Sequence, residues 1–183
     1  GDLLFRTADS GLESDMAPGS GTSGRVSIQS GTAVVSSGDV LISSGDSQEG
    51  APGSVSVTTG KSSSAAGGNV VVRGGVTEGA AEGGNVLVES GASLQTSSGH
   101  LSLSTADAGR AGVSGQLSLF SGVSTAGSSG GVKIASGSAI GGAGGDIGLS
   151  VGAGDTGAGG SIRVVAGDTT DTASGGAIEI SSG

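Results

Sequence analysis

The stretch Gly68-Asn69-Val70-Val71-Val72-Arg73-Gly74-Gly75 returns sixteen residues later as Gly84-Asn85-Val86-Leu87-Val88-Glu89-Ser90-Gly91. Both copies follow one phrase: Gly, a variable residue, an aliphatic, a variable residue, an aliphatic, a variable residue, a small residue, Gly. Apolar and other residues alternate with period two, the pattern of a strand with one covered face. Outward from these copies the aliphatic pair recurs along the chain. Before them stand Leu3/Phe5, Val26/Ile28, Val40/Ile42 and Val55/Val57. After them come Leu101/Leu103, Leu117/Leu119, Val132/Ile134, Ile147/Leu149, Ile162/Val164 and Ile178/Ile180. The twelve pairs hold 24 of the 39 Leu, Ile, Val and Phe residues, so their clustering is not an effect of composition.

From Val26 to Ile178 ten steps of 14, 15 or 16 residues cover 152 positions. The first step, Leu3 to Val26, is 23 residues long and predicts an inserted loop over 8–23. Gly opens the phrase two residues before the first aliphatic, as at Gly24, Gly38, Gly53, Gly115 and Gly160. Gly also closes the phrases, with Ala8 and Ala106 as the exceptions, and its place at both ends predicts corners with positive φ or close backbone approach. The third inward position is small and often hydroxylated, as in Thr7, Ser30, Ser44, Thr59, Ser90, Thr105 and Ser121.

These features predict an all-β fold with no helix. A repeat of about 15 residues accommodates two strands of roughly five residues and two corners. The expected fold is a β-solenoid of about eleven to twelve coils with a flat, thin core. Coils at about 4.8 Å spacing would give a rod of roughly 50 Å. The aliphatic pairs would form one inner face, with Ala66, Ala81, Ala143 and Ala158 packed against it. The alternative is an antiparallel β meander, in which each eight- to ten-residue Gly/Ser stretch is a loop longer than the usual hairpin loop. Residues 1–183 read as a single repeat array. Neither end carries a polar cap, which predicts a segment of a longer array or a unit that stacks end to end.

Composition removes other classes. The chain has 42 Gly but only two Pro, so it is not collagen. It has no Cys, which excludes a disulfide framework. No run of about 18 apolar residues exists to span a membrane as a helix. The net charge is −9 and the seven basic residues are scattered, which argues against a nucleic-acid partner.

Motifs of chemistry match by letters alone. Gly141-Gly142-Ala143-Gly144-Gly145-Asp146 opens like a calcium-binding nonapeptide repeat, but Gly148 stands where that repeat needs an apolar residue. The acids at corners, Asp146, Asp155 and Asp168 with Asp46 and Asp107, are candidate calcium ligands between coils. Gly152-Ala153-Gly154-Asp155-Thr156-Gly157 has dinucleotide-binding spacing, and Gly127-Ser128-Ser129-Gly130-Gly131 has nucleophile-elbow spacing. Both need a following helix, and none is predicted. The single His100 sits at a polar position before a phrase. The chain is therefore not expected to be an enzyme or to hold a cofactor.

The variable positions of the phrases are mostly small and polar. Leu41, Val71, Leu87, Phe120 and Val165 break that pattern and are candidate lateral contacts with a neighbouring chain. Thr170-Asp171-Thr172 is the one Thr-x-Thr unit of the kind an ice-binding face repeats.

The phrases Gly68-Asn69-Val70-Val71-Val72 and Gly145-Asp146-Ile147-Gly148-Leu149-Ser150-Val151-Gly152 resemble the Gly/Ser-rich repeats of large extracellular proteins of algae such as diatoms. They are also similar to repeat regions of phage and viral tail fibres. The resemblance implies an extracellular or virion-surface location and a structural role in a fibre, filament or surface layer, built with copies of the chain. The second expectation is a surface binding module, an adhesin that takes glycans or ice.

Overall fold

The computed structural model describes residues 2–7 and 21–183. Most of the expected inserted loop at 8–23 lies outside the described residues. The period of the sequence reappears in the backbone. The chain bends at 34–35, 48–50, 63–65, 78–81, 94–96, 110–112, 125–127, 140–142, 155–158 and 170–173. Each bend falls in the Gly/Ser segment between two phrases, so corners lie where the spacing puts them.

Most of the bends are made in one of two ways. A hydroxyl stands immediately before several of them and accepts a backbone N–H inside the bend. Ser47 Oγ accepts from Gly50 N at 3.1 Å, Ser62 Oγ from Ala65 N at 2.9 Å, and Thr77 Oγ1 from Gly79 N at 3.3 Å. Ser93 Oγ accepts from both Gln95 N and Thr96 N, and Thr169 Oγ1 accepts from Asp171 N. A short hydroxyl side chain satisfies donors that no neighbouring segment reaches. Elsewhere glycine at positive φ turns the chain, at Gly112, Gly127, Gly141 and Gly157. Gly141 and Gly157, at φ 76° and 78°, hold the left-handed conformation that a Cβ disfavours. Where Gly109, Ala139 and Gly154 replace the hydroxyl before the bend, a positive-φ glycine stands within it.

The chain divides into two units, Gly1–Ser98 and Gly99–Gly183, each with six of the twelve phrases. Hydroxyl-stapled bends dominate the first unit. All four positive-φ glycines lie in the second.

The phrases do not pair into a sheet. Among the described residues there is no helix and no strand, so neither the solenoid of eleven to twelve coils nor the antiparallel meander is formed. The contacts show why. Stacked coils place like positions over like positions. Here the opening glycines Gly24, Gly38, Gly53, Gly68, Gly115, Gly130 and Gly145 lie instead against the third position of the phrase before them. A Cβ on Gly53 would meet Ser44 Cβ at 3.5 Å, on Gly68 Thr59 Cβ at 3.2 Å, and on Gly115 Thr105 Cβ at 3.4 Å. The segment between phrases thus closes on itself rather than carrying the next phrase over the last.

No core forms either. No described residue is buried. The few that are half-buried, Thr7, Ser30, Gly74, Ser90, Ser121 and Ala166, all occupy the third position. The chain exposes 18303 Å², against roughly 7600 Å² for a folded monomer of its 16.7 kDa mass. Two aliphatic side chains in fifteen residues are too small an apolar payload to offset the ordering of so glycine-rich a segment. The expected second face of Ala66, Ala81, Ala143 and Ala158 adds little area. Correct periodicity therefore does not bring the phrases together within one chain.

Candidate functional site

The chemistry of this molecule lies in what its phrases present to solvent. From Val26 on, the first aliphatic of each pair is exposed by 52–60% and the second by 63–92%. The alternation survives as a gradient, with the opening aliphatic the less exposed of each pair. The candidate lateral contacts Leu41, Val71, Leu87, Phe120 and Val165 are all exposed. Their exposure does not set them apart, because the paired aliphatics are exposed as well. Phe5, Val26, Ser27 and Ile28 line an apolar groove of about 450 Å³ between the first two phrases.

Among the described residues, two phrase couples are closed by a backbone–backbone hydrogen bond. Gly84 N donates to Gly75 O at 2.9 Å, which ties phrase 68–75 to phrase 84–91. Gly176 N donates to Gly167 O at 2.9 Å and does the same for phrases 160–167 and 176–183. Each unit holds one such couple. The first of these closures requires glycine. A Cβ on Gly84 would lie 2.8 Å from Gly75 N, and one on Gly74 would overlap Gly84 O. In the second couple a Cβ on Gly176 would lie 3.4 Å from Gly167 N.

Charge is partitioned along the repeat. From opening glycine to third position, the phrases hold five basic residues (Arg6, Arg25, Arg73, Lys133, Arg163) and five acidic ones (Asp2, Asp39, Glu89, Asp146, Glu179). The connecting segments hold two basic and eleven acidic residues, so they carry the whole net charge of −9. The apolar parts of the chain are electrically balanced, and the acidic connectors 8–23, 45–52, 75–83, 152–159 and 167–175 repel one another.

The candidate calcium ligands do not converge. Among the described residues no three His, Asp or Glu side chains are grouped to hold a metal ion. Asp168 Oδ1 accepts the backbone N–H of Thr169 at 2.8 Å, and Asp155 Oδ1 lies 3.5 Å from Thr156 Oγ1. These are local contacts of bend acids. Thr170-Asp171-Thr172 also belongs to a bend, 170–173, where Asp171 Oδ1 accepts from Thr172 N at 2.7 Å. The glycine motifs have the same explanation. Gly127 and Gly157 turn bends, and no helix follows either motif among the described residues. No described helix is long and apolar enough to cross a membrane.

Sequence reasoning missed the closed couples and the hydroxyl that precedes a bend. The signal for the second was present as a column one residue ahead of the bends: Ser47, Ser62, Thr77, Ser93, Ser124 and Thr169. Comparison with known families, with curated proteins and with solved structures finds no match for this chain.

Proposed function

We propose that this chain is a structural repeat protein of an extracellular fibre, filament or surface layer, which associates laterally with copies of itself through its aliphatic phrases. The observation that carries the reading is the set of 24 apolar residues kept in register along the sequence, with no described member buried. A chain that lacks a core retains no such register without a partner surface. Burying an aliphatic side chain contributes about 1.5–3 kcal/mol, and contact between copies supplies that term where a single chain does not. On this reading the chain is not an enzyme, and its surface location follows from the repeats it resembles.

Sedimentation velocity over a wide concentration range, with electron microscopy of the same samples, tests the proposal. The expected result is mass that grows with concentration and ordered fibres or layers on the grid. A monomer at every concentration and salt level would overturn it. Val72→Ser with Val88→Ser should weaken association, whereas Ser56→Ala, at a variable position, should leave it unchanged.

A further inference from the structure

We infer that the two closed phrase couples, 68–75 with 84–91 and 160–167 with 176–183, are self-complementary docking sites for a second copy of the chain. The inference rests on the proposed self-association and says where it occurs and what sets its register.

The argument begins with charge. In the first couple Arg73 follows the second aliphatic of its phrase, and Glu89 follows the second aliphatic of the next. In the second couple Arg163 and Glu179 each stand between the two aliphatics. Both couples therefore place one Arg and one Glu at the same register position of neighbouring phrases, sixteen residues apart. All four residues are exposed. The two backbone bonds that close phrase couples join these same phrases. Opposite charges in equivalent positions on a closed couple make a surface that fits its own copy. With a two-fold axis between chains, Arg73 of each faces Glu89 of the other, and one contact generates the second. Like charges meet in the shifted register, which is how charge fixes pairing more than it adds affinity.

Area comes next. On the face that carries Arg73 and Glu89, period-two alternation puts Val71 and Leu87, both exposed. At 25 cal/mol per Å², 1.5–3 kcal/mol per side chain corresponds to roughly 60–120 Å² each. Two such residues offer about 200 Å² per partner, far below the roughly 800 Å² of a standard stable interface. One couple alone is therefore a weak contact. Each chain carries two of them, one per unit, and a chain with two self-complementary sites links copies into an open series. Neighbours in such a series share one contact each, so its length follows the affinity of that single contact and grows with concentration.

Charge reversal in the full-length chain, read by sedimentation velocity, tests the assignment. Arg73→Glu turns the first couple Glu/Glu, and Glu89→Arg turns it Arg/Arg. Each variant should lose at least about tenfold in association at that couple and, keeping the second couple, should stop at dimers. An equimolar mixture of the two should recover long assemblies, because each supplies the charge that the other lacks. The doubly exchanged R73E/E89R chain should match wild type. Glu89→Arg makes the chain less acidic, so a simple net-charge effect would strengthen its association. That result, or a mixture that fails to recover while wild type assembles, would overturn the docking assignment and leave the broader structural reading intact. A wild-type chain that never assembles would sink both.

Discussion

Gly84 shows how much one hydrogen atom in place of a methyl group decides here. Its N–H reaches Gly75 O because neither Gly84 nor Gly74 has a Cβ in the way. Gly84→Ala would push a methyl group to 2.8 Å from Gly75 N, within a distance that no real Cβ tolerates. The residue-84 amide should then lose its slowed hydrogen exchange. Gly91→Ala, with nothing within 4 Å, should leave that amide as it was. Equal exchange rates in the two variants would show that the couple is not closed by this contact. Gly141 tests the other kind of glycine. At φ 76° an alanine costs about 1–2 kcal/mol, so Gly141→Ala should redistribute bend 140–142 and shift the NMR resonances of its neighbours. Gly142→Ala, beside it and without positive φ, is the control. Arg73 and Glu89 belong to this scale as well, since their opposite signs at one register position were legible in the sequence. That their phrases are closed was not, because an N–H reaching back nine residues depends on the path of the loop between them.

The bends are the elements of this molecule, and two side-chain chemistries make them interchangeable. Ser93 is the fullest case. Its Oγ accepts from Gln95 N and Thr96 N and lies 3.0 Å from Thr96 Oγ1. Ser93→Ala removes these partners together, while Ser93→Thr keeps the hydroxyl. The alanine variant should open bend 94–96 at a cost of about 1 kcal/mol. Amide temperature coefficients at Gln95 and Thr96 should rise in Ser93→Ala and hold in Ser93→Thr. If both variants behave alike, the hydroxyl is not what sets the bend. The corners were legible because Gly and Ser cluster between the aliphatic pairs at a constant spacing. The pairing of phrases into strands was misread from the same regularity. Period-two alternation in Val70-Val71-Val72 says which side chains share a face. It does not say that a partner backbone is within reach, and the return of Gly68 onto Thr59 shows that the chain uses its connector to close locally instead.

At the scale of the whole chain, the decisive quantity is a net charge of −9 that sits outside the apolar phrases. Five of the eleven connectors are net acidic, 8–23, 45–52, 75–83, 152–159 and 167–175, so an approach of two chains along these segments brings like charges together. The Arg/Glu couples act only at contact. The connector charges act over a Debye length, about 30 Å at 0.01 M salt and about 8 Å at 0.15 M. Repulsion therefore controls the encounter, and the couples control its register. Two consequences have definite signs. Self-association should strengthen between 0.01 M and 0.15 M salt, as the connectors are screened and the apolar term is retained. It should also strengthen as pH falls toward the isoelectric point near 4.2, where the net charge vanishes. A variant with Asp46→Asn, Glu49→Gln and Asp107→Asn removes three connector charges and leaves every phrase untouched. It should assemble at lower salt than wild type, with the same particle form. Light scattering against salt concentration for the two chains measures the shift directly. Association that weakens with salt would mean that attraction between opposite charges drives the encounter, and the acidic connectors would then be contacts of the assembly rather than a restraint on it.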